Sequence, residues 1–184
     1  MSTLPPNTLA PEFNLPDQDG REHTLAYHIK NAGSTGTTST GADTTTKPPT
    51  RFILIYFYPK DDTPGCTAEA CAIRDAYGEF AAHGIKVFGI SADTPASHKK
   101  FAAKYNLPFT LLADPTKATI RAYGAIRESG VFKGGTARVS YLIAASDTSV
   151  GGTTHKAGTI LRVYPKVDPA NHAAEILRDI ESIQ

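Results

Sequence analysis

The chain has 184 residues, of which 40% are hydrophobic and 20% are charged, and its formal net charge is +1. That length predicts one domain whose core is stable without crosslinks, and the balanced charge excludes nucleic-acid binding held by bulk charge. Two cysteines are too few for a disulfide scaffold or a four-thiolate zinc site, and the longest apolar run, over 52–58, is too short to span a membrane.

The first ten residues contain neither a basic segment nor an apolar segment, so we expect no secretory signal. The expected location is therefore the cytoplasm, with the nucleus as an open alternative. In such a reducing compartment the two thiols start out free, and a disulfide between them would be transient.

The segment over about 31–50 differs in composition from the rest of the chain. Thr, Ser and Gly occupy 13 of its 20 positions, and such a sequence cannot offset the entropy of ordering by burying apolar surface. We predict a flexible insertion on the surface of a single domain that spans 1–184. A tolerated loop is the simpler interpretation, and a regulatory loop rich in modification sites is the alternative.

After this segment, strand and helix patterns alternate. The β-branched and aromatic run at 52–58 predicts a strand buried on both faces, and the apolar spacing after it predicts a helix over about 64–82. Further along we predict strands at 85–91, 109–112, 139–144 and 159–164, the last two forming a hairpin, and helices at 95–105, 117–123 and 171–183. This order predicts an α/β fold with a central mixed sheet flanked by helices on both faces. The expected ligand site lies at the carboxyl end of the first buried strand.

The first cysteine lies where that strand leads into the next helix. Thr63 is expected at the N-cap and Pro64 at the first helical position, which places Cys66 in the first turn. Free backbone N–H groups and the helix dipole favour an anion there, so Cys66 is expected to be a reactive thiolate. The alternative is a buried, inert cysteine that fills space.

Cys71 follows five residues later. In a regular helix that spacing separates the two Cα atoms by roughly 8–9 Å on diverging faces. A disulfide needs Cα atoms within about 7 Å, so the two sulfurs cannot bond while the helix is intact. If they pair during function, the first turns of the helix must unwind, unlike a C-x-x-C redox motif.

The stretch Pro59-x-x-x-Thr63-x-x-Cys66 resembles the active-site signature of peroxiredoxins. With the continuation Thr67-x-Glu69-Ala70-Cys71, it is similar to the subgroup called PrxQ or bacterioferritin comigratory protein. Collinear matches extend over most of the chain, at 10–15, 91–101, 107–114 and 138–143. The resemblance implies a thioredoxin-like fold and thiol-dependent reduction of hydrogen peroxide and organic hydroperoxides.

The resemblance also implies roles for the two thiols. Cys66 would attack the peroxide and become a sulfenic acid, and Cys71 would resolve it as an intrachain disulfide after local unwinding of the helix. Thioredoxin, or a similar disulfide reductase, would then restore both thiols. An intrachain route needs no second subunit, so a monomer is expected.

Four further residues receive roles by the same resemblance. Arg138 would lie beside Cys66, favour its thiolate and orient the peroxide. Thr63 would hydrogen-bond the thiolate or the peroxide, with helix capping alone as the alternative. Pro59 would shield the thiolate from water. Glu69 would orient Arg138 or cap the helix, with a plain surface charge as the alternative.

Other functional classes remain open at this point. A general thiol–disulfide oxidoreductase is one alternative, although the C-x-x-C motif is missing, and a peroxide-responsive redox sensor is another. The six histidines show no metal-binding spacing, so we expect no metal and no cofactor. We expect no nucleic-acid partner and no membrane.

Overall fold

A computed structural model describes residues 3–33, 37–40, 43–46 and 48–183. The first elements in chain order are β1 (Asn14–Pro16), β2 (Glu22–Thr24), α1 (Leu25–Lys30), β3 (Thr37–Thr40), β4 (Asp43–Thr46), β5 (Phe52–Phe57), α2 (Pro64–Asp75) and α3 (Tyr77–Ala82). They are followed by β6 (Ile85–Ser91), α4 (Pro95–Tyr105), β7 (Thr110–Ala113), α5 (Ala118–Ala122), β8 (Val139–Ala144), β9 (Thr148–Val150), β10 (Thr153–His155), β11 (Ile160–Tyr164) and α6 (His172–Ile183).

A five-stranded sheet in the order β11-β8-β5-β6-β7 forms the centre of the fold. β5 pairs in parallel with β6 and antiparallel with β8, and β11 adds to β8 as the predicted hairpin. Every residue of β5 is buried, as its unbroken apolar pattern predicts for a central strand. The predicted mixed sheet is therefore confirmed.

Alternate residues of β5 contribute to separate cores on the two faces of the sheet. Leu54 and Tyr56 belong to the core that also contains buried side chains of α2, α3, α4 and α6. Ile53 and Ile55 belong to the opposite core, which contains buried side chains of α1 and α5. Helices thus cover both faces, as predicted, because a sheet buried on two sides needs an apolar layer on each.

The helix predicted over 64–82 is interrupted once. Ala76, with ψ near 3°, ends α2 and precedes α3, so the prediction of one continuous helix is wrong at this position. Gly78 follows the break and has low helix propensity, which weakens the helix locally. Ile73 and Phe80 are nevertheless buried in the same core, so the predicted apolar face is present.

The sequence patterns did not reveal several short strands and one short helix. β1 pairs antiparallel with β2, and β9 pairs antiparallel with β10 in the connection between β8 and β11. Strands of three residues are too short to produce a recognisable alternation of apolar and polar positions. Helix α1 has only six residues and was missed for the same reason.

The predicted insertion over 31–50 is described only in part. Its backbone contains β3 and β4, paired antiparallel, while positions 34–36, 41, 42 and 47 lie outside the described residues. Its flexibility, like the single-domain organisation over 1–184, stays a prediction. Within the described ranges, no helix is long and apolar enough to cross a membrane.

Candidate active site

The loop after β5 leads directly into α2 and brings the first cysteine to the start of that helix. Thr63 occupies the N-cap position in an extended conformation, and Pro64 is the first helical residue. Cys66, two residues further, is 1% exposed and packs in the core shared by α2 and the sheet. The structure thus places Cys66 at the carboxyl end of the first buried strand, as predicted.

Thr63 and Pro59 lie in the loop between β5 and α2, ahead of Cys66 in the chain. The hydroxyl of Thr63 donates to the carbonyl oxygen of Lys60 at 3.0 Å, and its side chain makes no capping hydrogen bond to the helix. Thr63 therefore holds the N-cap position through its backbone, and the expectation of a side-chain cap is not met in this conformation. Its hydroxyl oxygen retains acceptor capacity beyond that bond.

Arg138 reaches this helix start from the neighbouring strand. It immediately precedes β8, whose first residue, Val139, pairs with Phe57 at the end of β5. That register brings Arg138 alongside the loop that carries Cys66. The guanidinium Nη2 donates to Cys66 Sγ at 3.4 Å, so the two residues predicted to work together are in contact.

Glu69 holds the other side of the same guanidinium. Arg138 Nη1 lies 2.6 Å from Glu69 Oε2, and the carboxylate is fully buried. Burial raises the pKa of Glu69 to about 7, against the opposing effect of Arg138. Burial disfavours the charge of Arg138, but Glu69 and Cys66 outweigh it and raise the pKa of the guanidinium. Among the roles expected for Glu69, the structure shows contact with Arg138. Its burial rules out a plain surface charge.

The sequence analysis did not identify Gly65, which lies close to the Arg138 guanidinium. A Cβ at this position would lie 3.0 Å from Arg138 Nη2 and would push the guanidinium away from the sulfur. A side chain at residue 65 would therefore require the Arg138 guanidinium to shift by a few tenths of an ångström beside Cys66. The glycine next to the cysteine was visible in the sequence, but its meaning depends on a residue 73 positions away.

A buried ionic network fixes the loop beneath the site, and the sequence analysis did not anticipate it. Asp61 Oδ2 lies 2.8 Å from His98 Nδ1, and Tyr58 Oη donates to Asp61 Oδ1 at 2.7 Å. His98 Nε2 faces the carbonyl oxygen of Leu112 at 3.1 Å and must donate to it. Burial opposes the charge of Asp61, but the bond from His98 lowers the pKa of the carboxyl. The loop carrying Pro59 and Thr63 is thereby anchored to α4.

Cys71 lies near the middle of α2 and is partly exposed. Both cysteines are free thiols. Because α2 runs unbroken over Pro64–Asp75, the helical separation expected between the two sulfurs applies here. The structure therefore brings Arg138, Glu69 and Cys66 together and holds Cys71 apart from them.

A cavity of about 380 Å³ lies next to this helix start. Pro59 and Thr63 line it from the loop, and Arg127, Phe132 and Thr136 line the other side. Phe132 is 69% exposed, which is unusual for an aromatic side chain. No cluster of three or more metal-ligating side chains occurs among the residues that the structure describes.

Comparison with known proteins identifies the family. The AhpC/TSA family model matches residues 6–148, which include the helix start, both cysteines and Arg138. The chain belongs to the AhpC/TSA family. The resemblance inferred from the motif around Cys66 is thereby confirmed.

The AhpC/TSA relatives are peroxiredoxins of the bcp and Q types. The bcp peroxiredoxin of Coxiella burnetii is 40% identical over 128 residues, covering 68% of this chain and 78% of the relative. The chloroplastic peroxiredoxin Q of Gentiana triflora is 36% identical over 177 residues, covering 95% of this chain and 66% of the relative. The chain thus spans about two thirds of the length of that plant relative.

A solved structure of a similar protein shows the same architecture. The bacterioferritin comigratory protein of Xanthomonas campestris superimposes with a TM-score of 0.71 at 28% identity. The match covers 92% of this chain and 90% of the other. The predicted thioredoxin-like fold is confirmed by this likeness.

Proposed function

We propose that this protein is a thiol-dependent peroxidase that reduces hydrogen peroxide and organic hydroperoxides through Cys66. The observation that carries the proposal is the 3.4 Å contact between Arg138 Nη2 and Cys66 Sγ at the start of α2. A guanidinium and a helix N-terminus both favour a thiolate over a thiol, and the thiolate is the nucleophilic form.

In the first step, the Cys66 thiolate attacks one oxygen of the peroxide. An S–O bond forms, the O–O bond breaks, and the departing oxygen takes a proton to leave as water or an alcohol. The sulfur is oxidised to a sulfenic acid, and the peroxide is reduced. The negative charge moves from sulfur to oxygen along this path, within reach of the Arg138 guanidinium, which stabilises it.

The surrounding residues have separate parts in this step. Glu69, buried 2.6 Å from Arg138 Nη1, holds the guanidinium against the sulfur. Thr63 and Pro59 line the cavity through which a peroxide reaches the site. The Thr63 hydroxyl can turn from Lys60 toward the bound peroxide, and Pro59 keeps bulk water from the thiolate.

In the second step, Cys71 attacks the sulfenic sulfur of Cys66 and releases water, which leaves an intrachain disulfide. The helical separation of the two residues requires the first turns of α2 to unwind before this bond forms. Thioredoxin or a similar disulfide reductase then returns both thiols. A monomer suffices for this cycle, and cytoplasmic location stays a prediction, since the plant relative is named chloroplastic.

The cavity lined by Pro59 and Thr63 supports organic hydroperoxides as substrates. Its wall includes the exposed ring of Phe132, which offers an apolar surface to an organic substituent. The related protein from Xanthomonas campestris is described by its alkyl peroxide reduction activity. A site that binds only hydrogen peroxide, which has no organic substituent, would not need an apolar cavity wall.

One experiment tests the two-step proposal directly. The reduced protein is mixed with one equivalent of hydrogen peroxide, and its intact mass and its peptides are analysed. We expect a loss of about 2 Da and a peptide linking Cys66 to Cys71. A protein that leaves the peroxide unreduced, yet reduces insulin disulfides, would instead be a general thiol–disulfide oxidoreductase.

A further inference from the structure

Thr136 lies in the wall of the cavity of about 380 Å³ that Pro59 and Thr63 also line. The residue is 3% exposed, and its hydroxyl oxygen makes no hydrogen bond within the described part of the chain. Burying a hydroxyl without a partner costs free energy, so nearly all such groups in folded proteins are hydrogen-bonded. The Thr136 hydroxyl therefore retains its full capacity to donate to a molecule in the cavity.

The backbone around Thr136 is fixed by the segment that precedes it in the chain. Thr136 forms an antiparallel bridge with Ile126. The N–H of Ala137, the next residue, donates to the carbonyl oxygen of Ala125 at 2.7 Å. A staggered rotation about the Cα–Cβ bond exchanges the hydroxyl of a threonine with its methyl group. The hydroxyl of Thr136 can thus turn toward the cavity while the backbone stays in place.

Thr136 lies on the same side of the chain as Arg138. Ala137 and Val139 are buried in the core on the opposite face of the sheet, whereas Arg138 contacts Cys66. Side chains alternate along an extended chain, so residues 136 and 138 point to one side, with Cα atoms about 7 Å apart. That spacing is within reach of one bound hydroperoxide.

The neighbours of Thr136 in the cavity wall indicate which peroxide oxygen it meets. Phe132 lies in the same wall, and its carbonyl oxygen accepts from the Gly135 N–H at 3.0 Å, which closes the turn between them. In an organic hydroperoxide, the oxygen that carries the organic substituent departs when sulfur attacks the other oxygen. A substituent packed against Phe132 therefore brings the departing oxygen toward Thr136.

We propose that the Thr136 hydroxyl binds the peroxide and donates a hydrogen bond to its departing oxygen. This inference rests on the proposed peroxidase function. The S–O bond to Cys66 forms and the O–O bond breaks, while negative charge develops on the departing oxygen, which then takes a proton from solvent. Thr136 keeps its own proton and stabilises that charge, a role separate from the contact between Arg138 and the sulfur.

The test compares the rate of the first step in variants that keep or remove this hydroxyl. Reduced protein is mixed with one equivalent of hydrogen peroxide or of tert-butyl hydroperoxide, the reaction is stopped with acid at successive times, and the remaining peroxide is measured. Thr136→Val replaces the hydroxyl by a methyl group, and Thr136→Ser keeps it. Thr119→Val is the matched control, because Thr119 is a buried threonine of α5 that does not line the cavity. Urea unfolding gives the stability of each variant.

We expect Thr136→Val to slow the consumption of both peroxides about 10-fold or more, because it loses a hydrogen bond to developing negative charge. Thr136→Ser and Thr119→Val should stay within about 3-fold of wild type. Because a methyl group replaces a buried hydroxyl that has no partner, Thr136→Val should unfold at the same urea concentration as wild type or at a higher one. A loss of activity without a loss of stability separates substrate binding from a structural role.

Three results would overturn the inference: a wild-type rate in Thr136→Val, an equal loss in Thr136→Ser, or a loss confined to tert-butyl hydroperoxide. The first is expected of a hydroxyl that binds only water, the second of lost packing by the methyl group, and the third of a change in cavity shape. If Thr136→Val does not fold, Thr136→Ala is compared with Thr136→Ser in its place. Failure of the peroxidase proposal is distinct from all three, because the wild-type protein would then consume neither peroxide.

Discussion

Two buried polar clusters lie on opposite faces of the central sheet, and they are satisfied to very different degrees. On one face, Cys66, Arg138 and Glu69 form the candidate site. On the other, a chain of hydrogen bonds runs from Lys86 through His28 and His23 to Asp17 against the ring of Phe88.

In the second cluster, the donor and acceptor of each hydrogen bond can be assigned. Lys86 donates to His28 Nδ1 at 3.0 Å, so His28 carries its proton on Nε2 and donates to His23 at 3.0 Å. His23 Nε2 then donates to Asp17 at 2.9 Å. Burial first, and then Lys86 and His23, lower the pKa of His28 to about 3. Each ring nitrogen has a partner, as a structural network in a core requires.

The candidate site differs because its acceptors are only partly used. Glu69 Oε1 and Tyr56 Oη are buried and make no hydrogen bond within the described part of the chain. Burial first, and then Glu69, raise the pKa of Tyr56 far above its ordinary value, so Tyr56 stays neutral. Buried polar atoms without hydrogen-bond partners are rare in structural clusters and are found more often at functional sites, so this difference supports a reactive role for the cluster around Cys66.

We expect the largest loss of peroxidase activity from replacing the cysteine at the centre of the candidate site. Cys66→Ser removes the nucleophile, and peroxide consumption should fall by about 10⁴-fold or more. Cys71→Ser is the matched control, because it keeps the first oxidation and blocks only turnover with a reductase. Peroxide consumption is followed in both variants, and reductase-dependent activity persisting in Cys66→Ser would contradict the proposal.

The next effect concerns the guanidinium. Arg138→Lys keeps a positive charge but cannot contact both Glu69 and Cys66, so kcat/KM for hydrogen peroxide should fall about 100-fold. Arg178→Lys, which changes an exposed arginine of α6, serves as control and should change kcat/KM less than about 3-fold. Equal losses in the two variants would remove the special role given to Arg138.

A third prediction uses the titration of Glu69. Because its pKa is raised from 4.5 to about 7, the folded protein holds this proton more tightly than the unfolded chain does, and stability falls as pH rises through that range. Glu69→Gln should remove this loss, so that its free energy of unfolding gains about 2–3 kcal/mol relative to wild type between pH 5 and pH 8. Urea unfolding at both pH values measures it, and parallel curves for the two proteins would count against the buried carboxyl.

The smallest effect comes from the other face and has the opposite sign. Because burial lowers the pKa of His28 from 6.5 to about 3, its stabilising contribution is complete above pH 6.5 and is lost as pH falls. Between pH 8 and pH 5, wild type should lose about 1–2 kcal/mol that His28→Gln does not lose. His83→Gln, at a partly exposed histidine, is the control and should behave like wild type.

Much of the fold could be read from the sequence because its main elements are long and apolar. The boundaries predicted for β6, α4 and β8 match the structure at both ends. The three-residue strands β1, β2, β9 and β10 and the short helix α1 were missed, since their formation depends on pairing and packing rather than on local pattern. Ala76 interrupts the predicted helix for a similar reason, as its local propensity favours helix.

The sequence indicated candidate residues for the site and, through the resemblance, the contact between Arg138 and Cys66, but not the packing around them. The roles predicted for Cys66 from its motif, and for Arg138, Thr63, Pro59 and Glu69 from the resemblance, stay predictions. The close approach of Arg138 to Gly65 involves a partner more than 70 residues away, so it could not be inferred locally. The anchoring of Asp61 by His98 joins residues 37 positions apart, and the sequence around Asp61 gave no sign that this carboxylate is buried.

The sequence by itself determined that two thiols lie five residues apart at a helix start, because that depends only on local order and helix geometry. It also determined which strand is buried on both faces. Only the tertiary structure decided which charge meets the first thiol, because Arg138 reaches Cys66 through the β5–β8 register. That contact joins distant parts of the chain. Its electrostatic strength depends on burial by the folded protein, which cannot be inferred from the neighbouring residues in the sequence.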